Sequence, residues 1–223
     1  MRDGQRRKRL RSLGIACLAA MNGLGTADAA PVTLPTDDGD QIFDSTGFAD
    51  SVVSSRLRSL SFTFQGPFPA RFNGLAADAA VLGTDLSNGL GISKDDSVTL
   101  GFSRPGSALA IWEAGDLSEL GVTLLEASTD GGKTFSDAVV YLPSPVQPDP
   151  EPSGYRTNYQ LIDATRFELA PGSLVNALRI SVVGPDVAYA HTDILAVASV
   201  PEPSTFALLT GGLFALALAR RIF

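Results

Sequence analysis

Cysteine is nearly absent from this 223-residue chain: Cys17 is the only one, and it lies in an apolar run near the N-terminus. Histidine is as scarce, with His191 alone. These absences exclude a disulfide framework, thiol catalysis by the body, Cys/His zinc sites and the two-His helix motif of zinc proteases. Positive charge is also scarce in the body of the chain. Of 17 Lys and Arg residues, six fall in residues 1–12 and two are Arg220 and Arg221. Residues 30–200 keep nine against 21 Asp and Glu, a net charge of −12. Such a body repels phosphate backbones, which argues against nucleic acid as a partner. What remains is enough chain for one domain of ordinary size plus processing segments.

The N-terminus carries those six cations, then an apolar run from Leu13 to Met21, then a polar, small-residue stretch from Asn22 to Ala30. A basic start, a short apolar centre and a small-residue exit make a secretory signal peptide. Ala27 and Ala29 supply the small residues that signal peptidase requires, placing cleavage after Ala29. The alternative, an uncleaved membrane anchor, is disfavoured because the apolar run is too short to span comfortably.

At the other end, Pro201-Glu202-Pro203 leads through Ser204-Thr205 into 14 uncharged residues, Phe206 to Ala219, and then Arg220-Arg221-Ile222-Phe223. As a helix, 14 residues reach only about 21 Å against roughly 30 Å of hydrocarbon. The segment is therefore a marginal transmembrane anchor, held by an arginine pair that resists crossing and stays in the cytoplasm. The two prolines keep the peptide outside the membrane extended and accessible. A final amphipathic helix of the domain is a poor alternative, because the segment is apolar all round.

These residues resemble the PEP-CTERM sorting signal, the tripartite tail of exported bacterial proteins handled by exosortases. The resemblance covers Pro201-Glu202-Pro203, the apolar helix with Gly211-Gly212 and the terminal arginines. It implies export across the inner membrane of a Gram-negative bacterium, transient anchoring, exosortase cleavage at or near Pro-Glu-Pro, and a destination at the cell surface or in the exopolysaccharide matrix.

Between the ends, residues 30–47 read as a polar, turn-rich segment with a loop at Asp37-Asp38-Gly39-Asp40, and residues 48–200 as one domain. Short alternating or apolar runs predict strands near 51–55, 59–65, 97–102, 108–113, 121–128, 138–142, 159–163, 165–169, 178–183 and 194–200. Single helical turns are expected at 117–120 and 173–177. The five-proline stretch from Pro143 to Gly154 cannot be a central strand. The expected fold is all-β: a single β-sandwich, flanked by an N-terminal signal helix and a short C-terminal transmembrane helix. The run Phe48-Ala49-Asp50-Ser51-Val52-Val53, the strands around Val98–Phe102 and Leu109–Glu113, Leu125–Gly131 and Asp193–Val197 are similar to discoidin-like and galactose-binding-like jelly rolls.

Few substrings in the body carry chemistry. Gly131-Gly132-Lys133-Thr134 lacks the earlier glycine and the following helix of a phosphate-binding loop. The wider run Ser128–Phe135 resembles the Asp-box of sialidases, a hairpin device. It reads as a tight turn, with glycine supplying positive φ and Asp130 capping the turn amides. His191 lies two residues from Asp193, but no Gly-x-Ser-x-Gly elbow exists to complete a serine triad. Glu113 and Asp193 flank apolar strands and are the candidate oxygen ligands for Ca²⁺, with Asp116 or backbone carbonyls as co-ligands; the alternative is that both are exposed strand-end acids. Trp112 is expected in the core rather than against a sugar ring. The expected role is structural, adhesive or polysaccharide-binding. The rival is an extracellular glycan hydrolase using two carboxylates drawn from Glu113, Glu126, Asp163 and Glu168.

Overall fold

The computed structural model describes residues 30–201 apart from 59–60, 66–70, 73–75, 77–79, 116–120, 143, 146–155 and 186–190. The signal peptide with Ala27 and Ala29 lies outside the described residues. So do the anchor with Arg220 and Arg221, the motif residues Glu202 and Pro203, and the helical turn expected at 117–120.

The described chain runs through β1 (Pro31–Thr36), β2 (Gly39–Asp44), β3 (Ser51–Arg56), β4 (Phe62–Gln65), β5 (Arg71–Phe72), β6 (Asn88–Ser93) and β7 (Ser97–Gly106). It continues through β8 (Ala108–Gly115), β9 (Val122–Ser128), β10 (Val139–Val140), β11 (Ser144–Pro145), β12 (Arg156–Asp163), β13 (Val175–Val183) and β14 (His191–Val200). A five-stranded sheet has the order β10-β9-β13-β7-β3, and a seven-stranded sheet the order β11-β12-β8-β14-β6-β4-β5. From β6 onward the long strands alternate between the sheets, so each connection crosses the sandwich, in the jelly-roll manner.

The period-two alternation of β-strands decides which residues meet. Leu109 and Ile111 of β8, Ile194 and Val197 of β14, and Leu90 and Ile92 of β6 face Leu100 of β7, Leu125 of β9 and Leu178 and Ile180 of β13, forming one buried core between the sheets. The opposite face of β8 and β14 is also buried. Ala110, Trp112, Ala114, Leu195, Ala196 and Ala198 pack there with Tyr159, Phe48 and the hairpin residues Leu34 and Phe43. Trp112 is fully buried at its centre. Its ring stacks on Phe48 at 5.7 Å and meets Phe43 edge-on at 5.0 Å, and its Nε1 donates to the Pro35 carbonyl at 2.8 Å. The tryptophan is thus a core residue, closed off from any sugar.

The two poles of the sandwich are fixed by close approaches between the sheets. At one pole the β7–β8 corner meets the end of β14: a Cβ on Gly106 would lie 2.5 Å from the Val200 carbonyl oxygen. The Ser199 hydroxyl donates to the carbonyls of Gly47 and Arg104 at the same pole. At the other pole Gly121 lies against the His191 backbone and Val182.

Several local expectations are corrected. Residues 31–44 form the β1–β2 hairpin rather than a polar lead-in, because Leu34 and Phe43 find a tertiary apolar patch around Trp112. The turn does fall at Asp37-Asp38. Residues 88–93 form a strand despite two glycines, since Leu90 and Ile92 fill the inter-sheet core. The strand expected at 165–169 is instead a 3₁₀ turn at Ala164–Phe167: the Asp163 carboxylate accepts the Thr165 N–H at 2.8 Å, and Glu168 closes the turn at φ 57°. Residues 173–177 make no helical turn, because β13 already begins at Val175. Ser144–Pro145 pairs only as the outermost strand of its sheet, where proline is tolerated.

Replacing Trp112 by alanine empties the centre of the outer core and releases the Pro35 carbonyl. We expect a loss of about 3–5 kcal/mol in urea denaturation and early proteolysis within residues 31–44. A change below about 1 kcal/mol contradicts this account of the hairpin's attachment.

Candidate functional site

The acids singled out at the strand ends are both buried. Glu113 is 6% exposed and Asp193 is 2% exposed, so neither is a solvated strand-end carboxylate. Their strands are neighbours, with Glu113 opposite Ile194 in the ladder and Asp193 one step away. Alternation sends the two side chains to opposite faces of the sheet. Glu113 faces the sandwich interior, where Thr192 Oγ1 donates to its Oε1 at 2.5 Å. Asp193 shares the other face with His191, whose Nε2 lies 3.6 Å from its Oδ2. Asp193 Oδ1 is buried without a hydrogen-bond partner among the described residues. Asp116 lies outside the described residues, and among those described no group of three or more His, Cys, Asp or Glu is placed to hold a metal ion.

Burial raises the Glu113 carboxyl to about 7. The Thr192 hydrogen bond opposes that rise, the neighbouring Asp193 charge adds to it, and Asn158 and His191 oppose it. Burial also raises Asp193, against the favourable hydrogen bond and charge of His191. At neutral pH this pole therefore holds a half-protonated glutamic acid beside an Asp–His pair.

The remaining hydrolase candidates are dispersed. Asn158, not Asp163, stands opposite Glu113; Asp163 is opposite Ala108 at the far end of the same strand pair, about 17 Å away at strand rise. Asp163 is occupied in capping the 3₁₀ turn that Glu168 closes. Glu126 lies on the other sheet, opposite Arg179. The four carboxylates do not converge on one groove.

The Asp-box-like run is a turn, as its composition predicts. Gly131 and Gly132 have φ of 76° and 83°. The Asp130 carboxylate accepts from the Lys133 and Thr134 amides and from the Ser128 and Thr134 hydroxyls. These bonds, led by those from Thr134, hold Asp130 down to about 2. The loop folds back on the outer face of the five-stranded sheet, where the Arg179 guanidinium carbon sits 3.7 Å above the centre of the Phe135 ring. Arg179 also reaches Glu126 across the ladder at 3.4 Å. The hairpin covers the outer face of the seven-stranded sheet; among the described residues, the outer face of the five-stranded sheet is covered by this loop toward Gly101 and open at its Ser97 end. No local pattern marks its residues in the sequence, because they come from four strands, β3, β7, β9 and β13, spread over residues 51–183.

At the opposite pole β14 ends at Val200, and Pro201 follows at once. The family model for the PEP-CTERM protein-sorting motif matches residues 199–221, which bears out the resemblance read at the C-terminus. The match implies export, a membrane-anchored sorting signal and processing by an exosortase. No curated protein matches the chain. Among solved structures, the chain is similar to the CBM51-2 and INT domains of Clostridium perfringens ZmpB, at 11% identity and a TM-score of 0.35, over 74% of this chain and 35% of that one. It is similar to a carbohydrate-binding module (CBM6cm-2) of Cellvibrio mixtus lichenase 5A, solved with cellotriose, at 10% identity and a TM-score of 0.30, over 75% and 94% of the two chains. A third likeness is to the catalytic domain of a GH87 alpha-1,3-glucanase, solved with tetrasaccharides, at 14% identity and a TM-score of 0.31, over 71% of this chain and 29% of that one.

Two titrations follow from these sites. Glu113 is raised from 4.5 to about 7, so its contribution to stability is fully present below pH 4.5 and is lost as the pH rises through about 7. The loss amounts to roughly 3 kcal/mol. Denaturant titrations of Glu113→Gln across pH 4–8 are expected to be flatter than those of the wild type, and an unchanged slope would disprove the assignment. Asp130 acts with the opposite sign: its contribution is present above pH 3.8 and is lost as the pH falls through about 2. Asp130→Asn should lower the melting temperature at pH 7 and bring it together with the wild type near pH 2. A constant difference down to pH 2 contradicts this.

Proposed function

We propose that this is an exported protein cut by an exosortase at or near Pro201-Glu202-Pro203 and released to the cell surface or the exopolysaccharide matrix. There its sandwich serves a structural, adhesive or polysaccharide-binding role rather than a catalytic one. The observation that carries the reading is the sorting motif matched at 199–221, starting inside the last strand of the folded body. With no linker between Val200 and Pro201, cleavage near the motif leaves the whole sandwich intact and free. The acidic body, at −12 over residues 30–200, favours solubility among neutral or weakly charged polymers. Against the rival hydrolase stands the separation of Glu113, Glu126 and Asp163, since glycoside hydrolysis needs two carboxyl groups about 5–10 Å apart across a groove; Asp163 and Glu168 cap the two ends of one 3₁₀ turn.

The test is the intact mass of the exported product from a host carrying an exosortase. A C-terminus between Val200 and Pro203, lost when Pro201, Glu202 and Pro203 are all replaced by alanine, is the expected result. A product that retains Phe223 would make the protein a tethered domain and overturn the reading.

A further inference from the structure

On the open face of the five-stranded sheet lies a trough of about 380 Å³, within the range of small-ligand sites. Its floor is the Ser97 end of β7. Its walls are β3 on one side and β13 with β9 on the other, carrying Ser54, Ser55, Arg56, Glu126, Arg179 and Ser181. Toward the β14 exit the trough is bounded by the 128–136 loop, which packs Gly132 over Val53 and Thr99. Toward the other pole it is bounded by the turn of Asp95 and Asp96.

We propose that this trough is a binding site for a neutral polysaccharide chain. The inference rests on the reading of the body as a polysaccharide binder and gives that reading a location and a chemistry.

Three observations carry it. The first is the donor and acceptor set. Arginines only donate, a carboxylate only accepts and serine hydroxyls do both, which matches sugar hydroxyls that both donate and accept. The second is rigidity. Arg179 is held from below by the Phe135 ring at 3.7 Å and from the side by Glu126 at 3.4 Å, so its remaining N–H groups are presented without the usual loss of side-chain freedom. Because the guanidinium covers that ring, recognition proceeds by hydrogen bonds rather than by ring stacking. The third is charge. Asp95 and Asp96 are paired with Arg58, and Glu126 with Arg179. The trough therefore holds no concentrated charge of one sign, and the acidic body around it disfavours a polyanion.

The position fits the sorting tail. Arg56 and Ser97 are paired at one end of their ladder, as are Val183 and Val122. This is the pole where Gly121 touches His191, the first residue of β14. The tail leaves from Val200, nine residue steps along that strand, or about 30 Å. The trough thus lies near the pole opposite Val200, where β14 ends.

The experiment is native affinity electrophoresis of the exported full chain in gels containing dextran, hydroxyethylcellulose, xylan or alginate. Variants Ser54→Trp and Arg179→Ala are run beside the wild type. Ser54 is exposed and stands opposite Thr99 on the outer face, so tryptophan there fills the trough without disturbing the core; equal melting temperatures check that. We expect retardation by at least one neutral polymer, reduced tenfold or more in both variants. Retardation that survives both substitutions overturns the trough and leaves the polysaccharide reading standing. No retardation by any of the four polymers overturns both. Retardation by alginate alone, lost in Arg56→Ala, overturns the neutral assignment.

Discussion

Burial of β8 and β14 on both faces is the constraint on which the rest of the structure depends. A sandwich needs only one buried face per sheet, but here the outer face of the seven-stranded sheet is sealed by Phe48, Leu34 and Phe43 around Trp112. Two cores then share the same pair of strands, with Leu109 and Ile111 in one and Ala110 and Trp112 in the other. Small residues dominate the outer side of β14, where Ala196 and Ala198 let the aromatic cluster settle against the sheet.

The same two strands carry the polarity of the molecule. Their one end holds Glu113, Thr192, Asp193 and His191 in a setting where burial, rather than pairing, governs protonation. Their other end is pinned by the Ser199 hydroxyl and the Gly106 corner just before the chain passes into the sorting motif. A strand that is central in its sheet and buried on both faces is a firm point from which to tether a domain, because pulling on it must disrupt ladders on both sides. A terminal edge strand would peel away from a single neighbour.

The fold class was legible in the residues because alternation and β-branched runs are local. Strands such as 97–106, 108–115 and 175–183 report their burial directly. The hairpin at 31–44 was not legible. Its residues are polar except for a few apolar ones whose partners, Trp112 and Phe48, become neighbours only after folding. The turn at 164–167 has a related cause: Thr165–Leu169 alternates like a strand, but one side-chain cap from Asp163 turns the chain instead.

The candidate sites divide in the same way. The sorting motif is a linear peptide read in extended form, so the sequence by itself determined it, together with the acidic balance of the body and the turn built around Asp130. Only the tertiary structure decided that Glu113 and Asp193 are buried and point to opposite faces. It also decided that Arg179 rests on Phe135 and that serines from β3 and β13 line one trough. Those facts depend on register between strands far apart in the chain, and register is set by the packing of the whole core rather than by any local run of residues.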